Sequence, residues 1–245
     1  MLKEFQEYLT KLIGDLPSNY QFLLAVSGGK DSVVLADLFY CSGIPFAIAH
    51  INFQLRGDAS DGDERFVKAL AKRCEVDCYT MLADTKTYSV EHNLSTQMAA
   101  RTIRYTWLEQ IRATHNLDYI VTAHHLNDTV ETILYNLAKG SGIKGNLGIP
   151  AINGRVIRPL LFATRKSIDA YYDQEQLVHR EDASNAQVGY ARNWIRHQVV
   201  PGLQKLNPSL EQTIKRNMVY WQQIYAWFEQ EAKQIHSKIW HSDAY

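Results

Sequence analysis

Apolar residues at Leu2, Phe5, Leu9, Leu12 and Ile13 recur at helical spacing, so the chain opens on an amphipathic helix. The pattern then changes to a short continuous apolar run, YQFLLAV over residues 20–26, which breaks into SGGKDS. A helix-like VVLADLFYC follows, then the turn SGIP and a second apolar run, FAIAHI. Short apolar runs bounded by glycine turns read as buried strands, and the stepped segment between them reads as a helix. The order recurs. A helix from about Ser60 to Arg73 leads into VDCYTML, a longer one from about Ser95 to His115 leads into DYIVTA, and another begins near Asn127. Strands alternating with helices of this length predict an α/β fold on a doubly wound parallel sheet.

After Gly140 the texture shifts to GSGIKGNLG and then to IPAINGRVIRPLL, a hairpin pattern with Asn153-Gly154 expected as a type I′ turn. The tail differs again. Leu210, Ile214, Met218, Trp221, Tyr225, Phe228, Ala232, Ile235 and Ile239 step by three or four, which predicts one long helix with a continuous apolar stripe. The expected division is a first domain over residues 1–207 and a helical segment over 208–245. That segment either packs on the chain's own helices or leads towards a further domain.

Charge adds a gradient. Lys plus Arg and Asp plus Glu are both 26, a balance that argues against a generic basic nucleic-acid binder. Residues 1–100 nevertheless carry 9 basic and 13 acidic side chains, and 139–216 carry 12 basic and 6 acidic. A positive surface on the second half is therefore open. No run approaches the ~20 apolar residues of a membrane span, and the first residues lack a signal-peptide core, so a cytoplasmic chain without a membrane partner is expected. Cys41, Cys74 and Cys78 are odd in number, show no zinc spacing and read as reduced thiols.

In doubly wound sheets ligands bind beyond the C-terminal ends of the strands. The chemistry-bearing stretches fall there: SGGKDS after the first strand, His50 to Arg56 after the second, and HHLNDTVE after DYIVTA. Ser27-Gly28-Gly29-Lys30-Asp31-Ser32 joins a strand to a helix. Two glycines let backbone N–H groups approach an anion, and the helix dipole adds partial positive charge, so the turn suits a phosphate or pyrophosphate. A tight turn with Asp31 or Ser32 as helix cap is the simpler alternative. Walker A spacing is absent, because Asp31 follows Lys30, and G-x-G-x-x-G does not occur there.

S-G-G-x-D-S at the first strand resembles the loop of the ATP pyrophosphatases, which cleave ATP between the α- and β-phosphates. Further motifs resemble the tRNA(Ile)-lysidine synthetases among them. They are His50-x-Asn52-x-x-Leu55-Arg56-Gly57, Ala100-Arg101-x-x-Arg104-Tyr105, Thr122-Ala123-His124-His125-Leu126-Asn127-Asp128-x-x-Glu131, and Gly140-Ser141-Gly142 with Gly145 and Gly148. Arg158-Pro159-Leu160-Leu161, Asp182-x-Ser184-Asn185 and Arg192-Asn193-x-x-Arg196-His197 continue the likeness, which covers roughly residues 20–208. Phe53, Gln97 and Asn146 depart from the family's commoner His, Glu and Leu.

The resemblance implies a catalytic domain over 1–207 that uses ATP to attach free L-lysine to C2 of the wobble cytidine in a tRNA(Ile) with anticodon CAU. Ser27, Gly28, Gly29, Lys30, Asp31, Ser32 and His50 would bind ATP, and Asp31 with Asp128 would hold Mg²⁺. Asp128 and Glu131, three apart on one helix face, would bind the cationic lysine together with Arg101 and Arg104, with His124 joining Asp31, Asp128 and Glu131 in catalysis. Acids in a first helical turn also favour the dipole with no further purpose. Arg56, Arg158, Arg192, Arg196 and His197 would meet the tRNA backbone. A homodimer stays open, and a tRNA thiolase or a non-catalytic nucleotide-binding module are the alternatives.

Overall fold

The computed structural model describes residues 1–55, 57–180 and 190–240; Arg56 and the Asp182–Asn185 motif lie outside the described residues. These divide into two compact units. One holds Met1–His125 and the segment from Ala151, the other Leu126–Pro150 and the chain from Tyr190 on. The division thus falls elsewhere than at residue 207. Among the described residues no helix is long and apolar enough to cross a membrane.

The first unit is a six-stranded sheet in the order β3-β2-β1-β4-β6-β5, with β1 Phe22–Ala25, β2 Phe46–Asn52, β3 Cys78–Leu82, β4 Tyr119–Val121, β5 Ile152–Asn153 and β6 Val156–Ile157. All neighbours pair in parallel except β5 with β6. Its helices are α1 Leu2–Ile13, α2 Lys30–Cys41, α3 Asp58–Arg73, α4 Thr85–Glu91, α5 Thr96–Thr114 and, after the hairpin, α7 Arg165–Gln174. The strand order reverses between β1 and β4, the crevice where ligands bind in such sheets.

The doubly wound sheet expected from the alternation is present, with local differences. Strand β2 runs on to Asn52, so His50 lies within it rather than beyond it. In the hairpin Asn153 pairs with Val156, leaving Gly154-Arg155 as the loop. Only Gly154 has positive φ, at 59°, so a type I′ turn, which needs two such residues, is excluded. Helices α4 and α7 had no counterpart in the periodicity.

Both sheet faces are covered. Phe22, Leu24 and Ile48 point to one side and pack with Phe5, Leu9, Val33, Leu35 and Phe39 of α1 and α2 and with Val67 and Leu70 of α3. Leu23, Ala47 and Ala49 point to the other and meet Leu108, Leu117 and Ile120. This is why the strands read as unbroken apolar runs. Phe39 sits at the hub, with ring centroids 5.3 Å from Phe5, 5.2 Å from Phe22 and 5.9 Å from Phe46.

The second unit is helical: α6 Leu126–Lys139, a 3-10 turn at Ile143–Leu147, α8 Tyr190–Trp194, a π turn at Ile195–Val199, α9 Val200–Leu206 and the 31-residue α10 Leu210–Trp240. Its core joins Val130 and Ile133 of α6 to Ile195, Val200, Leu210 and Ile214, with Met218 and Trp221 packed alongside. The first half of the tail stripe therefore packs on the chain's own helices, whereas Ile224, Trp227, Phe228 and Ile235 are exposed. Gly148 has φ +74°, and a Cβ there would come within 2.6 Å of Thr129 Cγ2, so α6 packs directly on this backbone.

Removing the aromatic hub should leave a cavity that three rings line. Phe39→Ala is expected to cost about 3–5 kcal/mol in denaturant unfolding monitored by circular dichroism; a loss under about 1 kcal/mol would contradict this packing.

Candidate active site

The loop after β1 is shaped by Gly28, whose φ of +92° an L side chain rarely adopts. Gly29 is the N-cap of α2 and supplies no side chain to the helix amides. Ser32 N–H turns back to Gly29 O at 3.1 Å, and with no side-chain cap the positive end of the helix suits an outside anion. The two serines occupy the turn instead. Ser27 N and Gly29 N reach hydroxyl oxygens only at 3.3 Å, on Ser32 and Ser27 respectively, while Ser32 Oγ donates to Gly29 O at 2.8 Å. Bonds this long are readily exchanged for a phosphate oxygen.

His50 supports the loop from below. It is buried, with Nδ1 2.8 Å from the carbonyl of Val26, the residue before the turn. Nδ1 therefore carries the proton and donates it, and Nε2 finds no partner among the described residues. Burial pushes the His50 pKa below its ordinary value, outweighing the backbone bond and the nearby Glu64 and Asp63. Arg180 braces the same loop. Its backbone N–H donates to Gly28 O at 3.1 Å, its Nε to Asp63 Oδ1 at 2.7 Å, and its guanidinium lies flat on Gly62 of α3.

Two charged residues open α2, and α7 meets both. Lys30 Nζ donates to Asp169 Oδ1 at 2.8 Å. Asp31 is gripped by both terminal nitrogens of Arg165, the Nη2–Oδ2 bond measuring 2.9 Å. Arg165 Nη2 also lies 2.8 Å from Nε2 of buried His125 at the end of β4, and that nitrogen is 3.7 Å from Asp31. Guanidinium has no lone pair, so in this contact Arg165 donates and His125 Nε2 accepts. Its neighbour His124 is tied through Nδ1 to Thr122 Oγ1 at 2.9 Å. The reversal point of the sheet thus gathers Ser27–Ser32, His124, His125 and Arg165.

The second unit holds the other acids. Arg196, on the π turn, donates to Glu131 through Nε at 2.6 Å and Nη2 at 3.0 Å, and to Asp128 Oδ1 at 3.3 Å. π turns of this kind are frequent at functional sites. Asn127 beside them donates to Glu211 of α10 at 3.0 Å.

The remaining expected residues are spread out. Arg101 and Arg104 are exposed on α5, stacked on Tyr105 and Phe53 at 4.9 and 5.4 Å, so Phe53 is a platform for an arginine. Arg192 and His197 are exposed, as backbone contacts with RNA require. Arg158 is 4% exposed, so it does not face outward as expected of an RNA contact, and half-buried Arg196 is engaged with two carboxylates. Arg165, Arg180 and Asp169 were missed. Their partners lie 134, 117 and 139 positions away in sequence, and only the Thr164-x-x-Ser167 capping box marked the start of α7.

The loop fits a polyphosphate. Asp31 and Asp128 fit a divalent ion poorly as they stand, since each carboxylate already meets an arginine, and among the described residues no group of three or more His, Cys, Asp or Glu is placed to hold a metal.

The PP-loop domain family matches residues 1–203. The chain is 38% identical over 218 residues to the tRNA(Ile)-lysidine synthase of Porphyromonas gingivalis, covering 89% of this chain and 48% of that one. It is 41% identical over 195 residues to that of Parabacteroides distasonis, covering 80% and 44%. The chain thus spans about half the length of these curated relatives. Among solved structures, the U34-tRNA thiolase NcsA of Methanococcus maripaludis shares the fold at a TM-score of 0.70 and 21% identity, covering 89% of this chain and 77% of that one.

Because folded His50 resists protonation while its unfolded form accepts a proton near pH 6.5, the unfolded state binds more protons below that pH. Stability should fall as pH drops through 6.5, by at most about 1.4 kcal/mol per unit from this residue. His50→Gln should flatten that slope in urea titrations between pH 5 and 7, and an unchanged slope would contradict the assignment.

Proposed function

We propose, since the chain belongs to the PP-loop domain family, that it carries the ATP-using chemistry of a ligase that joins L-lysine to C2 of the wobble cytidine of a CAU tRNA(Ile), forming lysidine. The observation that carries the reading is the uncapped, glycine-shaped start of α2, an anion cradle at the reversal point of the sheet. The relatives named tRNA(Ile)-lysidine synthase support the choice of substrate.

The first step converts a poor leaving group into a good one. The cytidine C2 oxygen attacks the α-phosphorus of ATP, the bond to the bridging oxygen breaks, and pyrophosphate departs. Charge building on that pyrophosphate is met by the N–H groups of Ser27–Ser32 and by Lys30, groups already oriented before reaction. Asp31 belongs to the same catalytic turn. His50 acts on the nucleotide through the Val26 carbonyl and hence the loop. Magnesium commonly accompanies ATP and would screen the phosphate charge when bound; Asp31 and Asp128 would have to exchange their arginines to hold it.

In the second step the lysine amine attacks C2, the C2–O bond breaks and AMP leaves with the oxygen. An amine of pKa about 10.4 is neutral in roughly one molecule in 2,500 at pH 7, a deficit near 4.6 kcal/mol, and neighbouring carboxylates deepen it. Asp128 and Glu131 bind the ammonium, and Arg196 between them offsets part of their negative field, so binding opposes deprotonation less. Arg101 and Arg104 are candidates for the lysine carboxylate. His124 accepts the amine proton at Nε2, which requires its Nδ1–H to donate to Thr122. Arg192, His197 and Arg56 supply tRNA backbone contacts. A cytoplasmic setting accompanies these substrates. Sulfur transfer is the weaker reading, because burial pushes the thiols of Cys41, Cys74 and Cys78 up, away from the reactive thiolate.

Labelled lysine should enter tRNA in an ATP-dependent reaction that releases pyrophosphate. Asp128→Asn should weaken lysine affinity or turnover about tenfold or more, the scale of one lost charge-assisted bond. Equal affinity and turnover in that variant would overturn the role of Asp128, and no lysine incorporation would overturn the function.

A further inference from the structure

Two reciprocal ion pairs join the start of α2 to α7. Lys30 meets Asp169 and Asp31 meets Arg165, so each helix contributes one cation and one anion. On α2 the two residues are adjacent; on α7 they are four apart and share a face. The four side chains offset one another in charge, and α2, unlike α7 with its Thr164–Ser167 capping box, starts without a side-chain cap.

The sequence of α7 makes this sharper. Its first turn contains no acid and begins with Arg165 and Lys166, cations placed where the helix dipole repels them. Arg165 is also not sealed into the core: its side chain is 36% exposed, beside an Asp31 side chain 29% exposed. A third contact orients the fork, since Nη2 donates to buried His125 at 2.8 Å. A guanidinium held by a rigid imidazole, seated against the helix that carries an anion cradle, is arranged to exchange one anionic partner for another. Its planar pair of N–H donors matches two phosphate oxygens as well as it matches a carboxylate.

We propose that Arg165 is a ligand of the pyrophosphate portion of ATP. In the structure its fork rests on Asp31; when ATP enters the loop, the fork passes to the β- and γ-phosphate oxygens while His125 retains its hold, and the Asp31 carboxylate is released. The inference rests on the ATP reading above and adds the residue that recognises the leaving group. Asp169 draws Lys30 to the same helix, so both cations of the site, Lys30 and Arg165, are held where α2 and α7 meet.

Equilibrium binding of ATP, inorganic pyrophosphate and AMP to the wild-type chain, Arg165→Gln and Arg165→Lys tests it. Arg165→Gln should weaken ATP and pyrophosphate roughly 10–100-fold, the range for a hydrogen bond to a charged group, and leave AMP within about twofold. Arg165→Lys, which keeps the charge without the fork, should fall between. Should the glutamine variant fail to fold, the lysine variant still decides, through selective weakening of ATP and pyrophosphate over AMP. Unchanged ATP and pyrophosphate affinity would overturn the inference, as would parallel loss of all three ligands, which a merely structural role predicts. Failure of the wild-type chain to bind ATP would overturn the ATP reading and this inference with it.

Discussion

Helix α2 starts without a side-chain cap, and the shape of that start depends on much of the first unit. A side-chain cap at its N-terminus would stabilise the helix by roughly a few tenths of a kcal/mol over glycine, yet Gly29 stands at the cap and forgoes that gain. The loop before it depends on Gly28 at φ +92°, on the Val26 carbonyl held by His50, and on the Gly28 carbonyl held by Arg180. Every one of these contacts comes from a different element. The cradle is therefore a property of the assembled unit and not of the SGGKDS peptide alone.

Packing explains why those contacts hold their positions. Strand β1 is central, buried from Phe22 to Leu24 and paired in parallel on both sides, and α2 packs on it through Val33, Leu35 and Phe39. A loop anchored between two such rigid elements loses little entropy when it binds a ligand, which favours affinity. The charges then act on a fixed frame. Lys30 and Asp31 cannot relax far from Asp169 and Arg165, because α2 and α7 share the same core through Ile168 and Tyr171.

Local chemistry was legible in the chain, and long-range pairing was not. The strand–SGGKDS–helix order, the parallel sheet and the tail helix follow from periodicity and glycine placement, all short-range signals. The hairpin was readable too, although its turn slipped by one residue because Asn153 satisfied the ladder opposite Val156. Arg158 and Arg196 looked like exposed cations in a basic stretch. Burial of the first and the π turn beneath the second redirect them, and neither signal has a sequence spacing. Arg165 was silent for the same reason: its meaning comes from Asp31 and His125, which only the sheet order brings to it.

In the second unit the acids of α6 meet Arg196, and this trio would address the chemical difficulty of the proposed reaction if the acids bind lysine as proposed. Two carboxylates alone would hold lysine as an unreactive ammonium; a guanidinium shared between them tempers that effect. The account stands on activation of the cytidine oxygen before the amine attacks. The most direct measurement places ¹⁸O at C2 of the wobble cytidine and follows it by mass spectrometry through one turnover with ATP and lysine. The account predicts one ¹⁸O in the phosphate of the released AMP, whereas lysine incorporation with unlabelled AMP would contradict it.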